Sequence, residues 1–143
     1  MMKALQRLLR VSQGGLAVIA LMLTVAADGH AQSHDWLVGT WSGEGGFGTI
    51  TLSGGYTFRN EDGVMKWTST FEGRTFKSSA EGTVISSDAS SAELAGKYVS
   101  ASNPAYVGSG VKVSLKGSPS ALSGSGISEY GNRPFTVTLT KNK

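Results

Sequence analysis

Apolar residues in this chain return at every second position, and a period of two cannot form the buried stripe of a helix. Met65, Trp67, Ser69 and Phe71 share one parity, against Lys66, Thr68, Thr70 and Glu72 on the other. Val111, Val113 and Leu115 alternate with Lys112, Ser114 and Lys116, and Phe135, Val137 and Leu139 with Thr136, Thr138 and Thr140. Each run reads as a strand with one buried face and one polar face. Beyond residue 31 no window carries apolar residues at helical spacing, so the chain is expected to be all-β.

Turn signals recur about every ten residues, as in barrels and sandwiches. Gly54-Gly55, between Phe47-Ile50-Leu52 and Tyr56-Thr57-Phe58, reads as a hairpin turn because two glycines supply the positive φ angles of a primed turn. A second turn is expected at Glu61-Asp62-Gly63. Further strands are expected at 37–44, 74–80, 83–87, 93–99, 111–116, 121–125 and 134–141, separated at Glu81-Gly82, 86–91, 117–120 and Gly131-Asn132. The stretch 100–110, with Asn103-Pro104 and Tyr106, is long enough for a lid or a crossing loop. The sum is an eight- to nine-stranded antiparallel up-and-down barrel, which removes exposed strand edges, with a β-sandwich as the alternative. Strands of five to seven residues, with Lys112, Lys116 and threonines facing outward, argue against an outer-membrane barrel.

The first 31 residues have a different character. Lys3, Arg7 and Arg10 precede a 12-residue apolar run over 16–27, followed by Gly29-His30-Ala31. This pattern reads as a cleaved secretory signal over 1–31, too short to span a membrane, leaving a single domain over 32–143 that is periplasmic or secreted. The charge changes meaning with it. The 143-residue chain has 13 basic and 10 acidic residues, net +3, but the leader holds three of the bases and Asp28, so 32–143 carries 10 and 9, net +1. A nearly neutral domain gives no electrostatic reason to expect nucleic acid. The absence of cysteine excludes disulfides, thiolate metal sites, a thiol nucleophile and a lipidated N-terminal cysteine.

One short segment carries a family resemblance. Gly39-Thr40-Trp41 resembles the Gly-x-Trp opening of calycin-type barrels: lipocalins, fatty-acid-binding proteins, avidins and nitrobindin-like proteins. The resemblance implies that Trp41 plugs one barrel end and that a basic residue late in the last strand packs across its indole. Arg133 and Lys141 are the candidates. If the first and last strands pair antiparallel, Lys141 lies beside Trp41 and Arg133 at the opposite mouth. The nitrobindin-like likeness extends over Gly39-Thr40-Trp41-Ser42-Gly43-Glu44-Gly45, but that family holds haem through a histidine near its C-terminus, and the last histidine here is His34. Avidin-like biotin binding is disfavoured because no tryptophan follows Trp67. No inhibitory segment of the calycin-like protease inhibitors is recognisable.

Catalytic patterns are missing from the sequence. There is no Gly-x-Ser-x-Gly elbow, His34 alone could serve a triad, and the acids at Glu61-Asp62, Glu81 and Asp88 read as turn residues. The chain is therefore read as a non-enzyme without cofactor or metal; Glu44 and Glu129 are the carboxylates that a minor hydrolase-type alternative would use. The leading expectation is a binding protein for a small, mainly apolar molecule, lined by Met65, Trp67, Phe71, Tyr98, Tyr106 and Arg133. The second is a non-enzymatic envelope module or inhibitor that meets a protein partner through its loops, around 103–107.

Overall fold

The computed structural model describes residues 35–143; the export signal expected over 1–31 and His34 lie outside the described residues. Eight strands run in order: β1 Gly39–Phe47, β2 Ile50–Glu61, β3 Val64–Glu72, β4 Lys77–Ser87, β5 Ser91–Ala101, β6 Gly110–Gly117, β7 Ala121–Ser128 and β8 Arg133–Lys141. Each pairs antiparallel with the next, and β8 pairs with β1, which closes an up-and-down barrel. The count is the lower of the expected eight to nine, and closure excludes the sandwich.

The inward parities supply the core. Trp41 of β1, Phe58 of β2, Met65 and Trp67 of β3, Leu94 of β5, Val113 and Leu115 of β6, Leu122 of β7, and Val137 and Leu139 of β8 are buried. Eight strands leave an interior that side chains can nearly fill. The outer face carries Lys66, Glu81, Glu93, Lys97, Lys112 and Lys116. An apolar inside and a charged outside reverse the arrangement of transmembrane barrels.

Two expected turns are strand interior instead. β2 runs unbroken through Gly54-Gly55, and the β1–β2 reversal falls at Gly48-Thr49, with Gly48 at φ +62°. Gly54 and Gly55 are there because neighbouring backbone leaves no room for a Cβ, which would stand 1.9 Å from the Thr70 carbonyl oxygen or 2.0 Å from that of Trp41. Likewise β4 passes through Glu81-Gly82, merging the runs expected at 74–80 and 83–87, so Glu81 is an exposed strand residue rather than a turn residue. The mergers give β2 and β4 12 and 11 residues, and the eight strands run 8–12, so the case against a membrane barrel rests on face chemistry and not on strand length. β1 also starts and ends later than the expected 37–44. The Asp62-Gly63 turn lies where expected, with both residues at positive φ as a type I′ turn requires.

The barrel has two unlike ends. The lower end holds the starts of β1, β3, β5 and β7, the end of β8, and the segment 35–38 that leads into β1. The upper end holds the β1–β2 turn, the β3–β4 loop, the 102–109 loop and the 129–132 turn.

Candidate functional site

The lower end is sealed by hydrogen-bonded tryptophans. Trp41 is fully buried and its Nε1 donates to the Leu37 carbonyl at 2.9 Å, fixing the incoming segment beneath the barrel. Trp36 packs edge-on to Trp41, with centroids 6.2 Å apart, and its own Nε1 donates to the Asp88 carbonyl at 2.8 Å. Lys141 is opposite Trp41 in the β1–β8 register. Its Nζ lies 5.4 Å from the Trp41 ring centroid and donates to the Trp36 carbonyl at 2.9 Å. The charge thus faces an aromatic cloud and a carbonyl together. Asp88 closes the β4–β5 turn through Ser90 and Ser91; those hydrogen bonds, led by the Ser90 amide, hold its carboxyl below the usual range.

The upper end is aromatic and encloses free space. A cavity of about 40 Å³ lies among Phe47, Tyr56, Trp67, Phe71, Phe76, Tyr98 and Phe135, with Ser69, Ser78 and Ala80 between them. That is room for about three waters. Gly45 and Gly46 line it from β1; a side chain on Gly45 would point toward the Phe71 ring, so its absence helps leave the space open, whereas Gly46 faces outward toward Thr136. Rings meet edge to face around the mouth: Phe47 with Phe76 at 5.9 Å and with Phe135 at 6.0 Å, and Phe76 with Tyr106 at 5.8 Å. Tyr106 continues to Tyr98 at 5.4 Å and Tyr130 at 4.9 Å.

The stretch 100–110, expected to be a lid or a crossing loop, is folded inward. Its Pro104–Tyr106 3-10 turn is capped by the Asn103 side chain, which accepts from the Ala105 amide at 3.0 Å, and Tyr106 is buried against Tyr98. Backbone bonds from Tyr98 N to Ser109 O, 3.0 Å, and from Gly108 N to Tyr98 O, 2.9 Å, strap the loop to β5.

Of the residues singled out from sequence, Trp67, Phe71 and Tyr98 line this cavity. Tyr106 stands behind Tyr98 and Phe76. Met65 shares the parity of Trp67 but sits at the lower end of β3, buried in the core away from the cavity, because parity sets the face and not the height along the barrel. Arg133 is exposed at the upper rim, where β8 begins opposite Ser128. Glu44 lies on the outer face of β1, and Glu129 is exposed on the rim with its carboxylate against Gly110, so neither carboxylate lines the cavity. Wider grooves are open and external; the one over Gly82 and Gly96 is flanked by Arg59 and Lys66, both paired with Glu61.

Tyr56, Ser78, Phe76, Phe47 and Phe135 are cavity residues that the sequence reading did not single out. Tyr56 is 4% exposed, and burial, reinforced by the nearby Tyr98, pushes its phenol above the ordinary tyrosine range. Tyr98 is raised too, chiefly by burial, against a hydrogen bond with Ser128 that lowers it.

The architecture defines a small, closed, antiparallel β-barrel with one plugged end and one aromatic cavity, compatible with a calycin-like barrel. No family model matches the chain, and no curated protein matches it significantly.

Proposed function

We propose that the protein is an extracytoplasmic binding protein that takes a compact, mainly apolar molecule into the upper end of a calycin-like barrel. The observation that carries the reading is the asymmetry of the barrel. The lower end is closed by Trp41, Leu37 and Lys141, whereas the upper end keeps an aromatic-lined space that the core has not filled. Convergent aromatic rings with a few polar groups are the usual lining of a small-molecule site. The space is far below the ~300 Å³ or more of a pocket for a drug-sized molecule, so the ligand is compact, or its body displaces the rings of the mouth. The leader-like residues 1–31 support an address outside the cytoplasm.

The test is native mass spectrometry of the protein recovered from its own compartment, alongside Ala80→Val, which adds two methyl groups to a cavity wall. A bound small-molecule mass present in the parent and lost in the variant supports the reading. Identical ligand-free spectra, together with no amide shifts at Gly45, Ser69 or Val137 on titration with toluene, would overturn it. A second reading, docking on an envelope protein, is favoured by Val107 and Tyr130, exposed on the same upper rim.

A further inference from the structure

Tyr56, Ser69 and Ser78 all line the aromatic cavity, and among the described residues no hydrogen bond reaches any of their three hydroxyls. Tyr56 and Ser78 are 4% and 8% exposed, so bulk water does not serve them. Tyr98, another hydroxyl on the wall, is already occupied by Ser128, itself fully buried. Tyr98 is close enough to Tyr56 to act on it electrostatically, so the free phenol and the paired one share a neighbourhood. A buried hydroxyl without a partner is unfavourable, and those of Tyr56 and Ser78, with the half-buried Ser69 on the same wall, leave a polar demand that the protein does not meet itself.

The rest of the wall decides what could meet it. No Asp, Glu, His, Lys or Arg lines the cavity; Arg74, Lys77 and Arg133 are at the upper end but outside its lining. A carboxylate or ammonium carried inside would lose its hydration without gaining a counter-charge. A neutral oxygen can accept from Tyr56 Oη while the serines bond to its remaining lone pair or hydroxyl hydrogen. Around it Phe71, Phe76 and Phe135 present faces and edges that suit a flat apolar body.

We propose, building on the binding reading above, that the Tyr56–Ser69–Ser78 hydroxyl cluster is a subsite for the neutral carbonyl or hydroxyl head of a small aromatic or alicyclic ligand. The cluster selects for the oxygen, and the hydrocarbon, larger than the 40 Å³ space, displaces the mouth rings Phe47, Phe76 and Phe135 and is held between them. Tyr56 is the principal donor.

The experiment is an amide NMR titration of the parent, Tyr56→Phe and Ser78→Ala with three probes: acetophenone, isopropylbenzene, which keeps the shape without the oxygen, and benzoate, which adds charge. Acetophenone is expected to shift the amides of Gly45, Ser69 and Val137 and to bind about tenfold more tightly than isopropylbenzene, with no binding of benzoate. Tyr56→Phe should erase that preference by weakening acetophenone alone, and Ser78→Ala should reduce it. Equal affinities for acetophenone and isopropylbenzene in the parent, or an undiminished preference in folded Tyr56→Phe and Ser78→Ala, would overturn the hydroxyl subsite while leaving apolar binding intact. Tighter binding of benzoate would also overturn it, in favour of a charged head. Absence of shifts with every probe would overturn the binding reading itself.

Discussion

Replacing Gly54 with alanine separates the observed barrel from the hairpin that Gly54-Gly55 resembles. A Cβ at Gly54 would lie 1.9 Å from the Thr70 carbonyl oxygen and 2.8 Å from Phe71 Cα, both backbone atoms that no rotamer change can move. Restoring even 3.0 Å requires β2 and β3 to part by about 1.1 Å there. A ladder bond near 2.9 Å would then stretch to about 4 Å, outside hydrogen-bonding range. In a closed barrel the displaced strand cannot swing out from an edge, because Gly54 also pairs with Gly43 of β1. Overpacking at ~1–3 kcal/mol plus about two lost backbone bonds at ~0.5–1.5 kcal/mol each gives a cost of about 2–6 kcal/mol.

The comparison is Gly48→Ala. Gly48 has φ +62° and nothing within 4 Å of a built Cβ, so its cost is the left-handed strain alone, about 1–2 kcal/mol. For the 109 described residues the unfolding entropy is about 0.23 kcal/mol/K, so Tm should fall by about 9–26 °C in Gly54→Ala and by about 4–9 °C in Gly48→Ala. Thermal melts followed by circular dichroism read both. If Gly54-Gly55 were the turn, the order would stay but both losses would shrink: Gly54→Ala would cost only turn strain, about 1–2 kcal/mol, and Gly48→Ala almost nothing. A smaller loss at Gly54 than at Gly48 would refute the close-approach argument.

Lys141→Met should lower stability by about 1.5–3 kcal/mol, because the charge-assisted bond to the Trp36 carbonyl is lost along with the cation above Trp41; denaturant melts give the loss, and tryptophan emission should shift as Trp36 is freed. Ser128→Ala should cost about 1–3 kcal/mol by leaving the Tyr98 hydroxyl buried and unpaired, and adding Tyr98→Phe should recover part of it in a double-mutant cycle of urea midpoints. Stability should also fall in alkali. The folded phenols of Tyr56 and Tyr98 hold their protons to higher pH than unfolded tyrosine, so above about pH 10 the native state binds more protons and each contributes a slope of up to about −1.4 kcal/mol per pH unit. Urea midpoints between pH 8 and 11 should show this decline, shallower in Tyr56→Phe, and a flat profile would contradict it.

The face of each strand was legible wherever alternation was unbroken. Met65, Trp67 and Phe71 are buried and Lys66 and Glu72 are not core residues, as period two requires. The register of Trp41 with Lys141 followed from closing an even-stranded meander. What was not legible is why a glycine is there. The same residue serves a turn that needs positive φ and a strand crossing that leaves no room for Cβ, and the difference lies in the neighbouring backbone. Reading Gly54-Gly55 as a turn divided the series Leu52, Gly54, Tyr56 and Phe58, which is one inward face. Tyr56 was missed for that reason. Phe76 precedes its strand and Phe47 ends one, so neither sits within an alternation that could mark it.

The two ends also differ in the kind of interaction that closes them. Below, Trp41, Trp36 and Lys141 each donate a hydrogen bond to a backbone carbonyl, so opening that end would expose three directional bonds as well as apolar surface. Above, Phe47 touches Phe76 and Phe135 only through ring edges, contacts worth roughly 0.5–1.5 kcal/mol each beyond their burial. On the Tyr106 side the same end is strapped by the backbone bonds between Tyr98 and the 102–109 loop; on the other side β1 and β8 stay paired up to Gly46 and Thr136, and beyond that pair Phe47 meets Phe135 and Phe76 through ring contacts. The least costly opening therefore lies between the β1–β2 turn, the β3–β4 loop and the start of β8. On the binding reading proposed above, a ligand entering there would pass Phe47, Phe76 and Phe135 and then Ser78, level with Phe71, before it reached Tyr56 and Ser69 one layer deeper, so its hydrocarbon body would be desolvated at the mouth before its polar atom was read inside.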